Sequence, residues 1–298
     1  MGLVLTGKFL WNHPLTRRHR LRMLGRVVGW QIKARLSAGP HVVDFVGGTR
    51  LKVSRGMTGA TGNFYCGLHE FSEMGFVLHF LRREDLFVDV GANIGSYSIL
   101  AAGVAGAQTI CFEPVPGTFR VLTENVQSNG LEGRVELQNI ACGSAAGMLR
   151  FTTGLDTTNH ALAAAESTNG AIEVAVKPLD EALGGRVPRA MKVDVEGFET
   201  QVVAGADKTL GDERLWCLLM EAGGFGSRYG FDEKVLHQKI VSYGFRPAAY
   251  DPLTRELRVD EAAKESTDRV ISLYVRNVEA VRARLQGAER RRVVGVEF

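Results

Sequence analysis

Short apolar runs alternate with amphipathic segments through the middle and the C-terminal part of the chain. The runs are rich in Val, Ile, Leu and Phe, and the segments between them repeat apolar residues at helical spacing. Nearly continuous apolar strands joined by helices are typical of a parallel sheet that is covered on both faces. The pattern therefore predicts an α/β fold. The predicted strands are 86–90, 108–114, 134–142, 190–195, 215–221, 245–250 and 270–277.

A basic segment near the N-terminus, residues 14–36, also has helical periodicity. Its apolar stripe consists of Leu21, Leu24, Val28 and Ile32, and its opposite stripe of Arg18, Arg22 and Arg26. We predict that the apolar stripe packs on the domain while the arginines face water. A second interpretation stays open, in which this helix docks on an anionic membrane surface or a polyanionic substrate.

The pattern predicts three regions. Residues 1–60 form an N-terminal extension, in which Gly47-Gly48 predicts a β-hairpin over 41–55. Residues 61–276 form the main α/β domain, opened by a helix over 69–83, and residues 277–298 form a C-terminal helix or tail. The alternation is interrupted at 143–187 by two strand-like runs, 148–153 and 172–177, and the long polar loop between them is predicted to be functional.

The stretch FVDVGANIGSYS, residues 87–98, joins a strand to a helix, where sheets of this kind bind ligands. Asn93 stands where a dinucleotide-binding turn needs its second glycine, and the lysine of a mononucleotide loop is absent. Asp89 would repel a pyrophosphate but suits an ammonium group, while the turn's N–H groups suit a carboxylate. S-adenosylmethionine has both groups, a cationic sulfonium and no phosphate, and is the predicted ligand.

Glu113 ends the second strand, 22 residues after Gly91. An acid at this position of a dinucleotide fold accepts hydrogen bonds from the ribose hydroxyls. The alternative is a strand-end acid that faces solvent. The predicted cofactor-binding residues are Asp89, Gly91, Asn93, Gly95 and Glu113, together with Asn139 in the third strand and Glu70 on the helix that should cover the pocket.

Four motifs together resemble the FkbM-type methyltransferases. They are FVDVGANIGSYS at 87–98, EP at 113–114, MKVDVEGFE at 191–199 and VVAGADKTL at 202–210. The resemblance covers residues 63 to 275 and implies a Rossmann-like class I fold with a seven-stranded sheet. It also implies S-adenosylmethionine as methyl donor and an oxygen acceptor on a sugar, glycolipid or natural product. It says little about the first 60 residues.

Transfer to a hydroxyl needs a base, because an alcohol is a poor nucleophile at neutral pH. Asp194 and Glu196 follow the fourth strand, and an extended backbone would point them the same way. His160 in the long loop and Glu221 after the fifth strand are the other candidates. The open alternatives are a helix cap or a salt bridge to Lys192 for the first pair, solvation for His160, and a plain strand-end acid for Glu221. The three carboxylates would also suit Mg²⁺, although methyl transfer without a metal is the prediction.

Composition adds an electrostatic asymmetry to an ordinary globular chain of 298 residues, 45% of them hydrophobic. Eight Lys or Arg and no acid precede Asp44, so the net charge of +3 leaves 3 − 8 = −5 for the rest. No secretion signal or membrane span is expected, and the four cysteines are expected to be free. We predict a cytoplasmic protein, with peripheral membrane contact through the basic helix as the alternative.

Three other functions can be compared with these sequence features. A nicotinamide dehydrogenase fits the fold, but not Asp89 or Asn93. An amino-methylating nucleic-acid enzyme would carry N/D-P-P-Y/F/W after the fourth strand, where this chain has DVEG at 194–197. The basic arm keeps an RNA partner open, since phosphate contacts need only Lys and Arg. A non-catalytic binding module would lack an acid at 113 or 194, and both are present.

Overall fold

The computed structural model describes residues 3–37, 39–54, 57–154, 159–163, 166, 169–221, 223–260 and 271–298. The strands are β1 (His41–Asp44), β2 (Arg50–Val53), β3 (Leu86–Val90), β4 (Gln108–Phe112), β5 (Val135–Gln138), β6 (Ala141–Cys142), β7 (Gly147–Phe151), β8 (Ile172–Lys177), β9 (Ala190–Val193), β10 (Cys217–Glu221), β11 (Arg246–Asp251), β12 (Glu256–Val259), β13 (Ile271–Val275), β14 (Arg292–Val293) and β15 (Val296–Glu297). The α-helices are α1 (Leu3–Asn12), α2 (Arg20–Leu36), α3 (Thr58–Cys66), α4 (Phe71–Phe80), α5 (Ser96–Ile99), α6 (Pro116–Ser128), α7 (Leu179–Leu183), α8 (Glu199–Ala204), α9 (Asp207–Gly211), α10 (Glu233–Ser242) and α11 (Val278–Gln286).

The central sheet has the order β12-β11-β13-β10-β9-β3-β4-β5. Strands β10, β9, β3, β4 and β5 are parallel, whereas β13, β11 and β12 pair antiparallel. The α/β prediction is confirmed, and each of the seven predicted strands has a counterpart in this sheet. The run predicted as one strand over 134–142 divides into β5 of this sheet and β6, which belongs to a separate sheet. The eighth, β12, was missed because it is a short edge strand that buries Leu257 and exposes Glu256 and Arg258. Charged residues are common on such edges because they block further pairing.

The N-terminal helix packs with a different face from the predicted one. Of its residues, α2 buries Met23, Trp30 and Ala34, and the Trp30 ring lies 5.4 Å from the Phe64 ring of α3. The stripe predicted to pack is exposed, so that prediction is wrong. Because the helix is apolar on two opposite faces, periodicity alone could not choose between them, and the larger aromatic side chain packs inward.

The interruption after β5 forms a separate three-stranded sheet of order β6-β8-β7. The predicted strands at 148–153 and 172–177 are confirmed as β7 and β8. Of the polar loop 154–170, the residues 155–158, 164–165 and 167–168 lie outside the described part, so its predicted functional role stays a prediction. The small sheet matters because Cys142 and Phe151 contribute to the wall of a cavity.

Both terminal regions share hydrophobic clusters with the main domain. The hairpin β1–β2, which was predicted, and α2 pack with residues of α5 and α6 in one cluster. At the other end, the Phe298 ring lies 5.2 Å from the Phe71 ring of α4. The predicted boundaries at 60 and 276 therefore do not separate independent cores. Among the described residues, no helix is long and apolar enough to cross a bilayer.

Candidate active site

A cavity lies at the carboxyl ends of β3, β4, β9 and β10, where sheets of this kind bind ligands. Helix α3 and the N-terminus of α4 complete its wall. Seven of the predicted site residues line it, namely Glu70, Gly91, Asn93, Glu113, Asp194, Glu196 and Glu221. The other four, Asp89, Gly95, Asn139 and His160, lie outside the lining.

The glycine turn brings β3 against the end of β9. Gly91 has φ +79°, and a Cβ there would lie 1.8 Å from the carbonyl oxygen of Asp194. Only glycine permits this approach, and it places the turn directly beside the DVEG segment. Gly95 has φ +91° and packs on Leu122, while Asn93 has φ 51°, a conformation that Asn tolerates better than most residues.

The backbone N–H groups of this turn already have acceptors within the chain. Gly91 and Ala92 donate to the carbonyl of Phe112 at 2.9 Å, and Gly95 donates to the carbonyl of Ala92. Asn93 donates to Glu113, and Ile94 to the side chain of Asn93. The expectation that free N–H groups receive a ligand carboxylate is therefore wrong for residues 91–95 in this structure.

Glu113 joins the end of β4 to the glycine turn. Its Oε2 accepts the N–H of Asn93 at 3.0 Å, and its Oε1 accepts the N–H of Val115 at 2.9 Å. Burial raises the pKa of Glu113 to about 7, although these backbone hydrogen bonds oppose the rise. Asn139 donates to the carbonyls of Glu113 and Pro114, so it positions this loop without lining the cavity.

Asp89, which was expected to contact the ligand, lies outside the cavity lining. It is buried, and its Oδ2 accepts a hydrogen bond from the Ser98 hydroxyl of α5 at 2.5 Å. Among the residues that the structure describes, none forms a hydrogen bond to its Oδ1, and burial raises the pKa of the carboxyl. Val90 lines the cavity, and so does Lys192, the register partner of Asp89 on β9.

Lys192 is a buried cation at the centre of the site, and its place in the cavity wall was not predicted. Its Nζ lies 2.6 Å from Oδ2 of Asp194 and 4.8 Å from the centre of the Tyr97 ring. Burial lowers the pKa of its ammonium, but the carboxylates of Asp194, Asp89 and Glu70 outweigh burial and raise it overall. The signal was available, since a lysine inside a buried strand needs acidic partners.

Three acidic side chains lie together beside this lysine. Asp194, Glu196 and Glu221 each place one oxygen within 4.8 Å of the others. Burial and the carboxylates of Asp194 and Glu196 raise the pKa of Glu221 well above its usual range. The salt bridge between Asp194 and Lys192, which was an open alternative, is present. The same three oxygens also suit a hard cation such as Mg²⁺.

Glu196 stands in a turn rather than on an extended strand. Strand β9 ends at Val193, and Glu196 has φ 57°, followed by Gly197 at φ 103°. The carboxylate of Glu199 accepts the N–H groups of Val195 and Gly197 at 3.0 and 3.2 Å, which fixes the turn. Burial, with a contribution from the Asp194 charge, raises the pKa of Glu196 to about 7. Asp194 and Glu196 were predicted to lie together because of an extended backbone. They do lie together in the cavity wall, but a turn brings them there.

His160 lies apart from these acids. It is buried rather than solvated, and its Nε2 lies 3.1 Å from the carboxylate of Glu166. The neighbouring Asn159 lines the cavity, whereas His160 does not. The structure therefore gives His160 a packed position inside the loop, and does not bring it together with the other base candidates.

The sheet order, with a ligand cavity at its strand ends, defines a Rossmann-like class I methyltransferase fold. The family model described as "Methyltransferase FkbM domain" matches residues 89–247, more than half of the chain. The chain belongs to this family.

Three related proteins match part of this chain. "Hexuronic acid methyltransferase AglP" of Haloferax volcanii is 33% identical over 134 residues, 43% of this chain and 53% of that protein. "Methyltransferase sdnD" of Sordaria araneosa is 32% identical over 122 residues, which are 39% of this chain and 46% of that protein. "31-O-demethyl-FK506 methyltransferase FkbM" of Streptomyces tacrolimicus is 29% identical over 161 residues, which are 43% of this chain and 61% of that protein. The matched segment thus spans about half of each relative's length.

Proposed function

We propose that this protein transfers a methyl group from S-adenosylmethionine to a hydroxyl oxygen of a sugar, glycolipid or natural product. The observation that carries the proposal is the charge of the cavity wall. Its described residues include five carboxyl groups, those of Glu70, Glu113, Asp194, Glu196 and Glu221. The basic side chains among them are Lys192 and His69, and burial lowers the pKa of His69.

This wall fits a cationic donor better than a phosphate-bearing one. A diphosphate would face several carboxylates at short range, whereas a sulfonium and an ammonium would be attracted. Glu113 retains lone pairs that ribose hydroxyls can donate to. Glu70 lines the cavity and takes the role that was expected of Asp89, which is to face the ammonium group of the donor. The Tyr97 hydroxyl donates a 2.6 Å hydrogen bond to the Glu70 carboxylate and so positions it.

The bound donor supplies an electrophilic methyl group on a positively charged sulfur. The chain must then orient an acceptor hydroxyl and remove its proton. We assign the general base to Glu196, because its pKa of about 7 matches a base that works near neutral pH. Asp194 is tied to Lys192 at 2.6 Å, and the pKa of Glu221 is raised too far for it to be ionised at neutral pH.

The acceptor is proposed from the charge of the wall and from two relatives. Their names specify a hexuronic acid and a 31-O-demethyl compound as acceptors. An uncharged hydroxyl is the better match here, because an acceptor carboxylate would be repelled by the ionised form of Glu196. Thr118 and Asn159 line the same cavity and offer hydrogen bonds to neutral hydroxyl groups.

Methyl transfer is tested with S-adenosylmethionine labelled in its methyl group and an extract of the source organism. We expect label in a glycan, lipid or small molecule, as a methyl ether that survives mild alkali. A control reaction with Glu196→Gln should transfer little. Label lost in alkali would indicate a carboxyl ester, and label only in RNA or protein would reject the proposed acceptor class.

A further inference from the structure

Helix α2 exposes an apolar stripe along its full length. We call Leu21, Leu24, Val28, Ile32 and Leu36 the outer stripe. The exposed fractions are 86% for Leu21, 56% for Val28 and 54% for Ile32. The stripe extends over about 22 Å at 1.5 Å per residue. Monomeric proteins rarely expose contiguous apolar surface of this kind, so a partner is expected there.

The outer stripe is not a misplaced part of the core. The residues that pack on the domain, Met23, Trp30 and Ala34, lie on the opposite face of the same helix. That inward face is fixed by the Trp30 and Phe64 rings and by Arg26, whose guanidinium lies 4.8 Å from the Phe64 ring centre. The described part of the chain therefore leaves the outer stripe uncovered while the helix is already anchored.

Exposed cations lie on α2 and in the turn before it. Six of them are exposed, namely Arg17, Arg18, Arg20, Arg22, Lys33 and Arg35. No acidic residue precedes Asp44 in the sequence, so α2 itself contains no acid beside these cations. Apolar residues with long basic side chains on their flanks are typical of helices that lie in the plane of a membrane interface, where the basic side chains reach the headgroups.

We propose that α2 is a docking surface for an anionic lipid bilayer, with the outer stripe in the acyl–headgroup boundary and the arginines on lipid phosphates. A second copy of the chain is a poorer partner, because a symmetric contact would oppose the same cations on both copies. A nucleic acid would satisfy the cations but leave the leucines in water. The lipid surface alone satisfies both features.

Docking through α2 would also position the donor cavity. Helix α2 packs on α3, and Gly59, Ala60 and Asn63 of α3 line the cavity. The cavity wall is therefore one helix away from the proposed lipid surface. This inference is independent of the methyl acceptor, since membrane binding and methyl transfer are measured separately.

The test is co-sedimentation of the full chain with vesicles of phosphatidylcholine, with and without phosphatidylglycerol. We expect binding to the anionic vesicles that weakens with salt, and much weaker binding to the neutral ones. Val28→Ser/Ile32→Ser should reduce the partition by about tenfold or more, because buried apolar area is lost. The matched control is Met148→Ser/Val235→Ser, which changes two side chains that are each 60% exposed elsewhere and should bind as the wild type does.

Several outcomes would overturn the proposal. They are no binding to anionic vesicles, equal binding of the stripe variant and the wild type, or equal loss in the control variant. A concentration-dependent dimer that disappears in the stripe variant would assign the outer stripe to a second copy instead. Salt-sensitive binding of RNA with no vesicle binding would assign the cations to a nucleic acid. Thermal melting of both variants checks that these exposed substitutions leave the fold intact.

Discussion

Glu196→Gln is expected to lower kcat by about 10²–10⁴-fold, the usual contribution of a positioned general base. The wild-type kcat/KM should fall as the pH drops below about 7, because Glu196 is then protonated and cannot accept the hydroxyl proton. The residual activity of the variant should not show this fall below pH 7. Steady-state kinetics across pH with a saturating donor, and Glu181→Gln on the exposed face of α7 as control, measure both effects.

Activity within a few-fold of wild type would place the base elsewhere. A chelator distinguishes a general base from a metal site. Activity that is lost in EDTA and restored by Mg²⁺ would indicate that Asp194, Glu196 and Glu221 are metal ligands instead.

The same variant should be more stable than the wild type at high pH. In the folded state the pKa of Glu196 is about 7, against an ordinary 4.5. Its contribution to stability is therefore present below pH 4.5 and lost as the pH rises through 7. Glutamine never ionises, so the Tm of Glu196→Gln should exceed that of the wild type above pH 7, and the gap should close towards pH 4.5. A gap independent of pH would contradict the raised pKa.

Lys192→Met is expected to reduce the free energy of unfolding by about 3–5 kcal/mol, because removing one partner leaves buried charge uncompensated. Asp194 loses its 2.6 Å partner, and Asp89 loses the cation that opposes its burial. Urea denaturation near neutral pH measures the loss. The control is Lys177→Met, an exposed lysine on β8, with an expected effect within about 0.5 kcal/mol.

A double variant separates charge from packing. Lys192→Met/Asp194→Asn should recover part of the stability, since one carboxylate is neutralised together with its cation. Lowering the pH should likewise reduce the deficit of the single variant, because the remaining acids become protonated. A single variant as stable as the wild type would show that Lys192 does not hold these carboxylates together.

The features set by local chemistry were predictable from the sequence. The seven core strands follow from apolar runs, and the glycine turn follows from Gly91 and Gly95, whose positive φ angles the structure confirms. Glu113 was placed at a strand end by spacing, and the structure puts it in the cavity wall.

The features set by side-chain direction were not predictable. Asp89 accepts a hydrogen bond from Ser98 of α5 and lies outside the cavity lining, whereas Lys192, its register partner on β9, lines the cavity, and the sequence does not show this difference. Similarly, α2 offers two apolar faces, and only packing against α3 decides which is buried. Helix α3 itself was missed, because Gly59, Gly62 and two threonines give it weak helix propensity, and tertiary contacts override this.

The most direct test of the account is titration calorimetry of the chain with S-adenosylmethionine, S-adenosylhomocysteine and NAD⁺. Gly91→Ala serves as the site variant, since its Cβ would meet the Asp194 carbonyl, and Gly130→Ala is its control, with φ +64° but open space around it. We predict heat with both adenosyl amino acids, its loss in Gly91→Ala but not in Gly130→Ala, and none with NAD⁺. Tight binding of NAD⁺ with no heat from either adenosyl compound would contradict the account.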